Sequence, residues 1–331
     1  MKAAYIENPG PAESIIYGDL PQPEPAAHQV LVRVSAVAVN PIDTYLRSGM
    51  VAMTLPRPYI LGCDLAGTVK AVGRNVVRFK PGDRVWGSNQ GVFGRQGTFA
   101  EYAAVEAAWL YPTPPSIDDR QAAACAMVSL TAHLAMFRRA ALQPGETIFV
   151  HGGAGGVGSC VVQMARAVGA RVIATAGTPE KVELCRRFGA DRVVNYRTDD
   201  LTAALADFAP KGVDVWFETL REHDFDLILG HMSVRGRIVL IAGRDARPQL
   251  PVGPFYTRSC SLLGFALFNA PADEQETAAG EINRWLVADK LRPTIGRTFS
   301  LREAAAAHRL QEENTIGGAG TLAGKIVLDV A

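Results

Sequence analysis

Five glycines fall within seven positions at Gly152-Gly153-Ala154-Gly155-Gly156-Val157-Gly158, directly after an apolar stretch (147–151) and directly before a helical one that runs to 168. Gly153, Gly155 and Gly158 fit the spacing G-x-G-x-x-G. Glycine there permits a tight turn, close backbone approach to a pyrophosphate and close packing of helix on strand. The helix N-terminus adds open N–H groups and the positive end of its dipole. A lone match is weak, and a glycine-rich turn without a ligand is the competing reading. The setting decides for the binding loop. Short apolar strands at 171–174, 192–195, 213–217 and 237–241 alternate with helices at 179–188, 201–208 and 225–232, the pattern of a doubly wound parallel α/β sheet.

The rest of the chain has a different texture. Up to about residue 115, β-branched runs such as Val30-Leu31-Val32-Arg33-Val34 and Gly67-Thr68-Val69-Lys70-Ala71-Val72 are separated by turn signals such as Lys80-Pro81-Gly82-Asp83. This predicts a β-rich domain of barrel type. An Ala-rich helix is expected over 121–141, a further apolar strand at 261–268, helices near 281–289 and 301–312, and a last strand at 325–329. A length of 331 residues suits two domains. We expect a first domain at 1–122, completed by 266–331, and a second at 123–265.

Thirty-four basic against 33 acidic residues leave a formal charge of +1, which removes the electrostatic reason to expect nucleic acid or an anionic membrane as partner. The uncharged stretch 121–137 is short for a membrane span, and 147–165 carries five glycines. Neither predicts a transmembrane helix. The first residues lack a basic-then-apolar signal, so a cytoplasmic location is expected. Cysteines at 63, 125, 160, 185 and 260 have no metal-knuckle or CxxC spacing and read as reduced, mostly buried thiols.

The dinucleotide is read from the end of the second strand of the alternation. An NAD site places an acid there for the ribose hydroxyls. Here Arg171-Val172-Ile173-Ala174-Thr175 runs into Ala176-Gly177-Thr178-Pro179-Glu180-Lys181, with no acid at the tip. Gly177 leaves room for a 2′-phosphate, Thr178 offers a hydroxyl and Lys181 a cation, which favours NADP(H). Glu180 competes, but an acid in the first helical turn is ordinary dipole chemistry, and Lys181 alone also reads as a solvated helix residue.

Several motifs occur together: Val39-Asn40-Pro41-Ile42-Asp43-Thr44-Tyr45-Leu46-Arg47-Ser48-Gly49, Gly62-Cys63-Asp64-Leu65-Ala66-Gly67, Lys80-Pro81-Gly82-Asp83-Arg84-Val85, the glycine loop, and Asn195-Tyr196-Arg197. With them the chain resembles, over nearly its whole length, the zinc-free quinone oxidoreductase branch (zeta-crystallin-like) of the medium-chain dehydrogenase/reductase superfamily. The resemblance implies a GroES-like β-barrel catalytic domain plus a Rossmann NADP(H)-binding domain, and an NADPH-dependent enzyme that transfers hydride to a quinone. Zinc-dependent relatives carry a Cys where Asn40 stands, a His where Cys63 stands, and a four-cysteine lobe that this chain lacks; no metal is expected. The resemblance gives Asn40, Asp43 and Tyr45 to the nicotinamide and substrate wall, with Ile42 beside the cofactor and Thr131 near the nicotinamide. It gives Gly153, Gly155, Gly156 and Val157 to the pyrophosphate, Gly177, Thr178 and Lys181 to the adenosine phosphate, and Tyr196 to the adenine face. Gly243, Arg244, Phe265, Ala266 and Leu267 would flank the nicotinamide ribose and carboxamide, and Lys325 joins them.

On the residues alone, Asn40-Pro41 also reads as a turn, Asp43 as a helix cap, Tyr45 as core and Thr131 as back-bonded within its helix. His133 reads as a packing residue. The chain departs from the branch after strand 213–217, where Glu218-Thr219-Leu220-Arg221-Glu222-His223 replaces an acid followed by a small-residue turn. Arg221, Arg244 and Arg247 leave an anionic substrate open. An ene reductase acting on an enone, acrylate or acyl thioester, with Tyr45 or water as proton donor, is the alternative on the same scaffold. A non-catalytic NADPH-binding protein is the alternative of another class. Strand 261–268, at the end of the parallel sheet, would leave an open edge; the resemblance implies that it pairs with a second copy in a homodimer. The alternative is cover from the same chain.

Overall fold

A computed structural model describes residues 1–330. The first part contains β1 (Lys2–Ile6), β2 (Ile16–Asp19), β3 (Gln29–Val39), helix α1 (Pro41–Ser48), β4 (Tyr59–Ile60), β5 (Leu65–Val72), β6 (Arg84–Gly87), β7 (Tyr102–Glu106), β8 (Leu110–Pro112) and α2 (Asp119–His133). The alternation follows as β9 (Thr147–Val150), α3 (Gly156–Ala167), β10 (Arg171–Ala176), α4 (Pro179–Arg187), β11 (Arg192–Asn195), α5 (Leu201–Phe208), β12 (Val213–Glu218), α6 (Phe225–Gly230), β13 (Met232–Leu240), α7 (Val252–Thr257) and β14 (Ser261–Gly264). The last part holds α8 (Ala272–Val287), β15 (Ile295–Ser300), α9 (Ala304–Thr315) and β16 (Lys325–Asp329). Two units result. One comprises Met1–Val128, Ala270–Asp289 and the chain from Pro293 onward; the other comprises Ser129–Asn269 with Lys290–Arg292.

In the first unit β3 is central, an eleven-residue strand rich in valine and buried along most of its length, as β-branched residues in a doubly covered strand should be. The large sheet runs β15-β16-β3-β5-β6-β8, with β7 also pairing to β3, and a three-stranded sheet runs β2-β1-β4. β16 and β5 both lie antiparallel to β3. Their amino ends therefore flank the carboxyl end of β3, where α1 begins.

The second unit is a six-stranded parallel sheet ordered β11-β10-β9-β12-β13-β14, the 3-2-1-4-5-6 order of the Rossmann fold. The order reverses between β9 and β12, and ligands of such sheets bind outside the carboxyl ends of the strands at that point. Phe149, Ile173, Trp216 and Ile238 fill the core, with the Phe149 and Trp216 ring centroids 4.0 Å apart.

Several boundaries differ from the sequence expectation. The strand expected over 261–268 stops at Gly264, because its ladder partner β13 stops at Leu240. The Phe265 N–H still reaches Leu240 O at 3.0 Å, and the chain then turns through Leu267–Asn269. The helix expected over 121–141 is α-helical only to His133 and continues as a π-turn, Leu134–Arg139. α8 starts nine positions earlier than expected, with Asp273 and Glu274 in its first turn favoured by the helix dipole. All five cysteines are free and buried. Among the described residues no helix is long and apolar enough to cross a membrane.

Candidate active site

The glycine loop leaves β9 at the reversal of strand order. Gly152 has φ +79°, a backbone only glycine adopts readily. A Cβ at Gly153 would stand 2.8 Å from Ala174 Cβ and 3.1 Å from Cys185 Sγ, and one at Gly158 would collide with the Gly152 carbonyl. Close packing of α3 on β9 and β10 therefore excludes side chains there. Gly155 is the exposed N-cap of α3 and supplies no side-chain cap, while Gly156 and Val157 stay partly exposed in the first turn. A helix N-terminus without a side-chain cap fits a pyrophosphate.

At the next strand end, the pairing of Ala176 with Asn195 sets Tyr196 beside Gly177. The Tyr196 ring covers Gly177 so closely that a Cβ there would collide with its hydroxyl, yet Tyr196 remains half-exposed. Thr178 caps α4 by accepting the Lys181 N–H at 3.3 Å, with Pro179 in the first helical position. Burial, then the charge of Arg197, pushes the Lys181 ammonium below its ordinary pKa, so two cations share this strand tip. The competing acid, Glu180, is held below the usual carboxylate range by its own backbone N–H and the Thr178 hydroxyl. It is thus engaged at its own helix start.

Across the reversal, the acid retained at the end of β12 has a definite task. Glu218 Oε2 accepts from His151 Nδ1 at 2.8 Å and from Trp216 Nε1 at 3.1 Å, and Oε1 accepts from Leu220 N at 2.8 Å. The carboxylate thereby ties the end of β12 to the end of β9. His223, in the segment that departs from the family pattern, packs against Gly243, which has φ +84°. Arg244 is exposed beside Asp245. Phe265 is partly buried, Ala266 exposed and Leu267 buried. Thr131 is buried on α2, and His133 packs edge-on against Phe137.

In the first unit the structure brings Asn40, Asp43 and Lys325 together and adds two residues to which sequence reading gave no role, Asp64 and Cys63. The Asp43 carboxylate accepts the Asn40 N–H at 2.7 Å, the return half of a capping box at the start of α1. The Asn40 side chain is turned elsewhere. Its Nδ2 donates to Asp64 Oδ2 at 2.8 Å, and its Oδ1 accepts from Lys325 Nζ at 2.5 Å. Lys325 Nζ also donates to Val39 O at 2.6 Å. All five residues are buried. Burial pushes Asp43 up to about 7, against the pull of the Cys63 thiol and the Asn40 N–H, and raises Asp64 against the pull of Lys325. Burial also holds the Cys63 thiol well above its ordinary value, and the two carboxyls raise it further. Lys325, placed beside the cofactor by the resemblance, thus has its ammonium on Asn40. Ile42 and Tyr45 project from α1 with part of their surface accessible. An acid directly before an apolar strand, in Gly62-Cys63-Asp64-Leu65, was the available signal for Asp64.

These residues do not fit a zinc ion. Among the described residues no three His, Cys, Asp or Glu side chains are grouped so as to hold a metal ion. The Asn40 oxygen already faces an ammonium.

Two family descriptions match the chain: "Alcohol dehydrogenase GroES-like domain" over residues 26–115 and "Zinc-binding dehydrogenase" over residues 156–284. A human quinone oxidoreductase is 34% identical over 332 aligned residues, covering 99% of this chain and 97% of its own. Among solved structures, an NAD-dependent alcohol dehydrogenase superposes with TM-score 0.89 at 31% identity, with full coverage of both chains. The Escherichia coli quinone oxidoreductase complexed with NADPH gives 0.86 at 26%, again covering both chains fully. Likeness of this extent across both units, together with the order of the motifs, establishes that the chain belongs to the medium-chain dehydrogenase/reductase superfamily, in its quinone oxidoreductase branch.

Proposed function

We propose that the chain is an NADPH-dependent enzyme that reduces quinones without a metal ion. The observation that carries this reading is the tip of β10, where Gly177 lies beneath Tyr196, Lys181 and Arg197 repel one another, and Glu180 is engaged at its own helix start. The two cations make this strand tip positive, which favours a 2′-phosphate there. NADPH contributes the hydride; the protein contributes binding, orientation and electrostatics. The glycine loop through Gly153 and Gly155 and the first turn of α3 with Gly156 and Val157 hold the pyrophosphate. Gly177, Thr178 and Lys181 hold the 2′-phosphate, and Tyr196 covers the adenine. Gly243, Arg244 and Phe265 to Leu267 border the nicotinamide ribose and carboxamide. In the first unit Asn40, Asp43, Ile42 and Tyr45 are the residues read toward nicotinamide and acceptor, with Asp43 acting through the Asn40 backbone; in the second unit Thr131 is the residue read toward the nicotinamide. Direct hydride transfer to an electron-poor quinone needs positioning more than acid–base power.

The relatives named quinone oxidoreductase and the solved relative holding NADPH support this reading. β14 is an open edge of the parallel sheet, with Val234, Val252, Tyr256 and Leu262 exposed nearby in the sequence of the same unit. We place a homodimer contact there, since an uncovered apolar edge favours pairing. Five free thiols suit a reducing compartment such as the cytoplasm. The test is nicotinamide absorbance with purified protein, NADPH and NADH in parallel, against 1,2- and 1,4-quinones, an alkyl enone and an acrylate. Quinone turnover with strong NADPH preference is the expected result. Turnover confined to the enone or acrylate transfers the protein to the ene reductases, and NADPH binding with no turnover by any acceptor leaves a binding protein.

A further inference from the structure

The carboxyl end of β3 is flanked by the amino ends of β16 and β5, and each of these contributes one buried charge. The register that pairs Ile326 with Val39 brings Lys325 level with Asn40. The register that pairs Ala66 with Ala36 carries Asp64, just before β5, to the level of Ala38 on the other side, from where its carboxylate reaches the Asn40 amide. The amide between them is gripped at both ends, with Nδ2 on the Asp64 carboxylate and Oδ1 on the Lys325 ammonium. Opposite charges at the two ends leave one favourable orientation, because a flipped amide would set its NH2 against an ammonium and its oxygen against a carboxylate. Asn40 is also the N-cap of α1, and its N–H is tied to Asp43. A residue whose backbone starts a helix and whose side chain is locked between two strands fixes where that helix begins. Ile42 and Tyr45 lie on that helix.

We propose that Asp64 and Lys325 are positioning residues that act through Asn40, holding the first turn of α1 and hence Ile42 and Tyr45 in register for hydride transfer. The proposal rests on the reading that α1 lines the pocket for nicotinamide and acceptor. Neither charged group needs to touch the reactants. Displacement of a positioning element by about 1 Å can cost about a hundredfold in rate, and the clamp prevents it by joining α1 to two strands rather than one.

The experiment is a mutant cycle in the full-length protein, read with NADPH and a 1,4-quinone. Asp64→Asn with Lys325→Met removes both charges together, so that neither is left buried alone. This pair is compared with Asn40→Ala, with all three changes combined, and with Tyr45→Ala as control. The expected result is a kcat lowered about tenfold to a hundredfold in the double variant. NADPH dissociation constants by fluorescence stay within about twofold, since the cofactor cradle is built from other strands. In the Asn40→Ala background the double change costs almost nothing further in kcat, because its route is already cut. A merely structural pair would lower melting temperature and yield while leaving kcat per folded molecule at the parent value. That result overturns the proposal, as do losses in the cycle that multiply independently. Should the double variant fail to fold, Asp64→Asn alone takes its place in the cycle, with the same non-additivity expected. If Tyr45→Ala leaves kcat/KM unchanged, the placing of α1 at the pocket falls and the proposal with it. If Tyr45→Ala is impaired and the charge variants are not, the proposal alone falls.

Discussion

Tyr196 lies over Gly177 with no space between them for even a methyl group. The contact is set by the pairing of β10 with β11, which makes the residues following Ala176 and Asn195 neighbours. Gly177→Ala must therefore lift the tyrosine ring. Stacking of a base on an aromatic ring contributes about 1–3 kcal/mol, so the expected rise in NADPH dissociation constant is at least about fivefold. Equilibrium fluorescence titration measures it, with melting temperature as the control for folding.

Lys181 and Arg197 raise each other's electrostatic energy, and an anion between them relieves it. Loss of one charge-assisted hydrogen bond costs about 1.5–3 kcal/mol. Lys181→Ala should therefore weaken NADPH binding about tenfold to a hundredfold while leaving NADH binding within about twofold, and it should reduce the salt sensitivity of NADPH binding. Equal losses for both nucleotides would remove the 2′-phosphate from this strand tip.

Two buried groups in the first unit give opposite slopes of stability against pH. Asp43 titrates at about 7 in the fold and near 4 when unfolded. Between these values the folded state holds a proton that the unfolded chain has lost, so stability falls as pH rises from about 4 to about 7. His308 is the reverse case. Burial, then the charge of Arg47, pushes it down to about 3, so the unfolded chain takes up a proton that the fold refuses, and stability falls as pH drops from about 6.5 toward about 3. Denaturant unfolding across pH should show Asp43→Asn flattening the neutral limb and His308→Leu flattening the acid limb. Asp64, Cys63 and Lys325 surround Asp43, so the neutral limb should also move in their variants.

The parallel sheet was legible because periodicity and the glycine loop are local signals. Strand 325–329 and helix 201–208 have in the structure the bounds that the sequence predicts. Strand 261–268 was overextended because its true end is set by where β13 stops, a fact about a partner strand rather than about Ser-Leu-Leu-Gly-Phe-Ala-Leu-Phe. The site was legible one residue at a time, through Asn40, Asp43, Gly177 and Lys181. The network was not legible, since Asn40, Asp64 and Lys325 are far apart in sequence and meet only through the registers of β5 and β16 on β3.

Glu218 should prove hard to replace. Each of its carboxylate oxygens receives a donor, from His151 and Trp216 on one side and from Leu220 on the other. Glutamine must set an NH2 against one of them, and alanine leaves all three without an acceptor. Of these donors only Trp216 Nε1 is buried, and an unsatisfied buried donor costs about 1–3 kcal/mol, so Glu218→Ala should destabilise by about 1–3 kcal/mol, with Glu218→Gln intermediate. Urea unfolding provides the comparison, and equal stability of Glu218→Gln and parent would refute the assignment.

The open edge at β14 yields the last prediction. Among the described residues β14 pairs only with β13, and Leu262 on it is 40% exposed. A charged residue on an edge strand opposes pairing with another chain, since the charge would have to be buried or set against its own symmetry mate. Leu262→Lys should therefore shift the mass measured by sedimentation equilibrium from two chains toward one. Its melting temperature should become less dependent on protein concentration than that of the parent, because linkage to association is lost. NADPH affinity should change little, since the glycine loop and the β10 tip lie toward the other side of the sheet order. A parent that sediments as a monomer, or a variant that remains dimeric, would mean that β14 is not the contact.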